Sequence, residues 1–178
     1  QGEKEGMKKF LTAVFAVLTG VFLAGYDASA ETPLCGGVTD RTDRTAPKVI
    51  KSKEITAFST SFLLRDETSP HEAIEHWSFT VKKDDSGRIA IEAGNGTTVQ
   101  ADDALLAELQ QVIDRFDLAA LNGTDRVTAG LPPVFGPCRM SVDYASGERL
   151  YFQRNSRPEE GWPRAMRDIF LNAFAKKR

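Results

Sequence analysis

The side chains whose spacing could support chemistry are few: two histidines, two cysteines and several adjacent carboxylates. His71 and His76 frame the stretch HEAIEH, which invites comparison with the zinc-protease pattern HExxH. Metal ligation from one helix face needs histidines at i and i+4, whereas these stand at i and i+5, about 140° apart around a helix axis. Pro70 before them and the alternating run HWSFTV after them also leave no room for a helix. The stretch reads as a loop, and no metal is expected. Asp66-Glu67, Asp102-Asp103 and Glu159-Glu160 are neighbours in sequence. A catalytic carboxylate pair must face one substrate from two separate elements, so solvated turns and helix starts account for all three. The sequence lacks GxSxG, a Walker loop and a dinucleotide fingerprint. It nominates no catalytic residue and no cofactor.

The segment NGTDRVTAGLPPVFGPC, residues 122–138, is a different kind of candidate. It joins a helical pattern to a strand pattern and greatly exceeds the usual connection of about 4–6 residues. Long loops in compact domains often carry binding surfaces. This one offers Arg126, Thr128 and Phe135, with Arg139 just beyond, as a candidate binding loop. The competing reading is an Ω-loop that packs Leu131, Val134 and Phe135 inward.

Lys8 and Lys9 precede an apolar run from Phe10 to Gly25, and Ala28-Ser29-Ala30 follows. Basic, apolar, then small is the order of a secretory signal. Residues 1–6 precede Met7 and read as translated leader, 7–30 as signal peptide, and Glu31 as the first mature residue. Leu23-Ala24-Gly25 resembles a lipoprotein lipobox, but Tyr26 stands where the lipidated cysteine would be. No membrane insertion of the mature chain is expected. Export permits a disulfide. Cys35 and Cys138 form the candidate pair, and closing a loop of roughly a hundred residues would restrict the unfolded chain by about 4–5 kcal/mol. A net charge of −2, with Lys and Arg scattered among acids, gives no electrostatic footprint for nucleic acid.

Positioning any site falls to the periodic segments. Residues 31–53 are polar and aperiodic and read as a flexible arm. Residues 54–178 read as one domain. EITAFSTSFLLR alternates as a strand, and HWSFTVK and RIAIEA form a hairpin through Asp84 to Gly87. Leu105, Leu106, Leu109, Val112, Ile113 and Phe116 make one helical stripe, ended by Asn122-Gly123. RMSVDYA and ERLYFQ form a second hairpin. A second helix follows from about Glu159, with Trp162, Met166, Ile169, Phe170 and Phe174 on its apolar face. Ser156 to Glu159 has capping-box spacing, although Gly161 and Pro163 can delay the regular helix by a turn. Hairpin, helix, hairpin, helix is a weak internal repeat. It predicts an α+β fold in which an antiparallel sheet of about five strands is covered on one face by two helices.

ALLAELQQVIDRFDLAALNG, RVTAGLPPVFGPC and SGERLYF resemble a group of small exported, lipoprotein-like proteins of Gram-positive anaerobes that has no assigned activity. The resemblance implies a cell-envelope or extracellular location and supplies no catalytic residues. The resulting expectation is a secreted or envelope-associated binding module, non-enzymatic, with a protein or envelope component as partner. The alternatives are an inhibitor of a secreted enzyme acting through residues 122–138, and a hydrolase, which would need a deep pocket with a strongly shifted titratable group.

Overall fold

The computed structural model describes residues 36–65, 73–84 and 86–176. The leader and signal at 1–30, Cys35, His71 and the Asp66-Glu67 pair lie outside the described residues. The alternating segments form strands: β2 (Ile55–Arg65), β3 (Ile74–Lys83), β4 (Ile89–Ala93), β7 (Pro137–Tyr144) and β8 (Arg149–Asn155). Three further strands are short: β1 (Val38–Asp40), β5 (Thr98–Ala101) and β6 (Asp125–Thr128). The helices are α1 (Asp103–Arg115) and α2 (Trp162–Ala175), with 3₁₀ turns at Leu118–Leu121 and Pro133–Phe135.

The fold is α+β, with one eight-stranded sheet in the order β1-β6-β8-β7-β2-β3-β4-β5. The expectation of about five antiparallel strands is therefore corrected in number and direction. All neighbours are antiparallel except β6 and β8, which are parallel in the register Asp125↔Gln153, Arg126↔Arg154. The parallel pair arises because the chain passes from β6 to β7 and leaves a gap that β8 later fills. The hairpin-helix alternation is present, but the two halves recruit their extra strands differently. β5 extends a meander after β4, whereas β6 precedes its hairpin.

Alternation puts Phe58, Thr60 and Phe62 on the same sheet face as Phe79, Val81, Met140, Val142, Leu150 and Phe152, and all are buried. The helices cover this face. Phe170 of α2 stacks on Phe79 with centroids 4.1 Å apart and contacts Phe58 at 6.0 Å. Burying each such ring contributes about 1.5–3 kcal/mol before packing terms. The α1 stripe is buried as its period requires, and the side chain of Asp102 caps the helix by accepting from the Leu105 N–H at 3.3 Å.

The arm expected over residues 31–53 is held against the sheet where it is described. Val38 and Asp40 pair with Thr128 and Arg126. The Arg41 N–H donates to the Asp125 carbonyl at 2.7 Å, and the Lys51 and Ser52 N–H groups donate to the Glu148 carboxylate at 3.0 and 2.8 Å. Ile50 is buried. Asn122-Gly123, read as a helix stop, is also a junction. Asn122 Nδ2 donates to the Pro47 and Arg149 carbonyls, and its Oδ1 accepts from the Tyr151 N–H at 2.8 Å. Gly123 has φ +79°, and its carbonyl accepts from the Asp43 N–H.

Candidate functional site

The strand β8 carries Leu150, Phe152 and Arg154 in one phase, so the periodicity that buries two apolar side chains also drives a guanidinium toward the core. Opposite them on β7 stand Val142, Met140 and Cys138. Register continues the last of these rows across the sheet as Cys138, Arg154, Arg126, Asp40. The helix layer ends on this row: Cys138 and Arg154 are buried, whereas Arg126 and Asp40 are exposed.

The boundary is closed by the connection between β8 and α2. Trp162 at the start of α2 lies edge-on to Phe62 and Phe152, with centroids 5.6 and 5.8 Å away. Its indole N–H donates to Glu160 Oε2 at 2.9 Å, and the same carboxylate oxygen accepts from Arg154 Nη2. Arg154 Nη1 donates to the Asn155 carbonyl at 3.2 Å, but its buried Nε has no partner. Ser156 is 7% exposed. Its backbone N–H donates to the Gly136 carbonyl at 2.8 Å, while its Oγ is buried without a hydrogen-bond partner. The capping box read from Ser156 to Glu159 does not form. The helix starts later, at Trp162, with Gly161 at its N-cap and no side-chain cap.

Two clefts flank this connection and share Arg157, Glu159, Glu160 and Trp162. One, of about 310 Å³, lies between the end of β2 and the first turn of α2 and is lined by Leu63, Val134, Cys138, Ser156, Pro163 and Arg164, among others. The other, of about 590 Å³, lies toward the end of α1, with Phe116, Leu118, Leu121 and Trp162 as its apolar wall and Thr124 and Arg154 beside them. Such volumes suit a small ligand or the end of a chain. A groove of about 340 Å³ between the two helices and β5 is lined by Leu105, Ile169 and Ala173 together with the exposed Asp102, Glu108 and Lys176.

Burial pushes the Cys138 thiol upward in pKa, and the neighbouring Arg154 charge and Ser156 hydroxyl offset this only in part. A thiol held protonated is a poor nucleophile at neutral pH. Cys138 is a free, buried cysteine. Cys35, the other member of the candidate pair, lies outside the described residues.

The candidate loop residues are not brought together. Residues 125–128 are strand β6, and 133–135 a 3₁₀ turn, so the long loop is mostly structured. Arg126 shares the helix-side face with Cys138 and Arg154, and lies 3.9 Å from Asp40 in an exposed ion pair. Arg139, one residue after Cys138, points to the opposite face. Thr128 and Phe135 are fixed through Asn155, whose Nδ2 donates to both carbonyls at 3.2 and 2.8 Å and whose Oδ1 accepts from the Thr128 N–H. His76 lies on a strand, and among the described residues no three His, Cys, Asp or Glu side chains gather to hold a metal ion. No described helix is long and apolar enough to cross a membrane. The signal missed in the sequence was Arg154 in phase with Leu150 and Phe152, because a charge in a core phase requires a partner. Compared with known protein families, curated sequences and solved structures, the chain matches none at a significant level.

Proposed function

We propose that the chain is an exported, non-enzymatic binding module of the cell envelope or medium, and that its ligand is held at the β8–α2 connection. The observation that carries this reading is the pair of clefts on either side of a clamp formed by Arg154, Glu160 and Trp162. The clamp is half to fully buried, and it leaves the Arg154 Nε–H without a hydrogen-bond partner. The most strongly shifted groups lie away from the clefts, Tyr144 beneath α1 and Asp84 in the β3–β4 turn, and the Cys138 thiol that lines the smaller cleft is held protonated by burial, which favours recognition over nucleophilic chemistry there. The export part of the reading rests on the signal-like order of residues 7–30.

The test is co-sedimentation of the purified chain with envelope material from a Gram-positive bacterium. Retention should fall on Arg157→Glu, at the shared wall of the clefts, and persist on Arg139→Glu, on the opposite sheet face. No retention, or dependence on Arg139 instead of Arg157, would contradict the reading.

A second reading has its own observation. Asn155 pins the turn carrying Leu131 and Phe135, which stay 45% and 39% exposed. A rigid, apolar projection suits an inhibitor that inserts a loop into a secreted enzyme. On that reading, Leu131→Ser with Phe135→Ser abolishes inhibition across a panel of secreted hydrolases without lowering Tm, and inhibition that survives both changes excludes it.

A further inference from the structure

The sheet ends on β1 at one side and on β5 at the other, and the two edges differ. A free strand edge is a template for another strand, so proteins guard it with charge, proline or a bulge. β1 is guarded: Asp40, beside Arg126 of β6, sets charge on the helix-side phase of that edge. β5 is Thr98-Val99-Gln100-Ala101, with no charge and no proline, and its pairing with β4 runs without a register shift. The ladder decides what its free side presents. The Ala93 N–H donates to the Thr97 carbonyl at 2.9 Å, and the pairs Ile91↔Val99 and Ile89↔Ala101 continue in the same phase. Alternate residues of an antiparallel strand point their amides to opposite sides, so Thr98 and Gln100 turn their N–H and C=O groups away from β4. Both residues are exposed, and no group among the described residues pairs with those backbone atoms. Beside this edge runs the groove of about 340 Å³, with Leu105, Ile169 and Ala173 as its apolar wall and Gln100 and Ala101 at its lip. The next strand of such a sheet finds backbone partners on β5 and room for its helix-side side chains in the groove.

The edge is complementary to itself. A second β5, turned antiparallel about a two-fold axis perpendicular to the sheet at Val99, sets Thr98 against the partner's Gln100 and Gln100 against the partner's Thr98. The outward groups of these residues then exchange hydrogen bonds. Val99 meets the partner's Val99 as a non-hydrogen-bonded pair, with Cα atoms about 4.5 Å apart, and the partner's Thr97 falls opposite Ala101, at the groove. Polar residues face polar, apolar faces apolar, and neither strand carries a charge to repel the other.

We propose that β5 is the interface of a symmetric dimer, in which two copies of this chain join edge to edge into one continuous sheet with the helices of both on the same side. The occupant is a second copy because one two-fold axis satisfies the outward backbone groups of both strands and matches every residue of β5 in character. Such a contact is closed, so it ends at two chains and leaves no unguarded edge to recruit more. It lies five strands from β8 and stands apart from the binding reading.

Sedimentation equilibrium of the purified chain over a concentration series should show a monomer–dimer equilibrium, and a monomer at every concentration would overturn the proposal. Gln100→Pro removes an outward N–H and leaves the bonds to β4 intact, so it should weaken dimerisation roughly tenfold. Val99→Lys sets two like charges across the axis and should weaken it at least as much; where that variant fails to fold, Gln100→Pro carries the test. Dimers indifferent to these changes contradict the interface. The register is read separately in a Cys35→Ala background treated with copper–phenanthroline. Val99→Cys should yield a covalent dimer, because the axis holds the two thiols within disulfide reach. Thr98→Cys should not, because its two copies stand roughly 8 Å apart between Cα atoms. Equal cross-linking at both positions, or none at either, overturns the two-fold contact.

Discussion

Arg154 and Glu160 form an ion pair across six residues, at the row of the sheet where the helix layer ends, with side chains only 11% and 24% exposed. Trp162 shares the carboxylate. Glu160→Ala would leave a buried guanidinium unpaired and should cost about 2–4 kcal/mol in urea denaturation, whereas Arg154→Met with Glu160→Leu should recover most of that loss. A single variant as stable as the parent would show that the pair does not hold the connection in place.

Gly123 is predicted to be irreplaceable. Its φ of +79° already disfavours other residues, and a Cβ there would collide with the Asp43 carbonyl and Ala46. Gly123→Ala should destabilise the chain by about 2–3 kcal/mol or more. Hydrogen exchange should show the loss first at residues 41–48, because the Asp43 N–H donates to the Gly123 carbonyl. Unchanged exchange there would contradict this account of the junction.

Tyr144 provides an alkaline signature. Burial, followed by the nearby Asp114 charge, pushes its hydroxyl up to about 12, with Gln110 opposing the shift in part. The folded state therefore favours the neutral phenol. Its contribution is complete below the unfolded value of about 10 and is lost as pH rises from there through about 12, amounting to about 2–3 kcal/mol. Tyr144→Phe should flatten the fall in Tm over this range at little cost near neutrality. Parallel Tm profiles for the two proteins would refute the assignment.

Cys138 should resist iodoacetamide at pH 8 in the folded chain and react at the ordinary rate in urea. Burial, the raised pKa and the location on β7 all act in that direction. Rapid labelling of the native protein would contradict the buried, protonated thiol. Intact mass before and after reduction tests the Cys35–Cys138 bridge, whose presence would show as a gain of two hydrogens on reduction.

The elements that were legible in the sequence are those long enough to repeat their period. Leu105 to Ile113 marked α1, and Phe58 and Phe62 marked β2. The strands β1, β5 and β6 are three or four residues long, and the three residues of β1 are all exposed. Such strands are stabilised by distant neighbours, and a glycine- and proline-rich context conceals them. Ser156 to Glu159 illustrates the limit for the site. The local spacing suits a capping box, but the Ser156 N–H donates to the Gly136 carbonyl and the helix starts only at Trp162, an arrangement that depends on which strand lies beside β7.

The most direct test of binding at the β8–α2 connection is hydrogen exchange of the chain alone and with envelope material. The account predicts new protection confined to residues 154–165 and the adjoining end of β2. Protection centred on Ser59, Ser141 and Tyr151 of the opposite sheet face, or no protection at all, would contradict it.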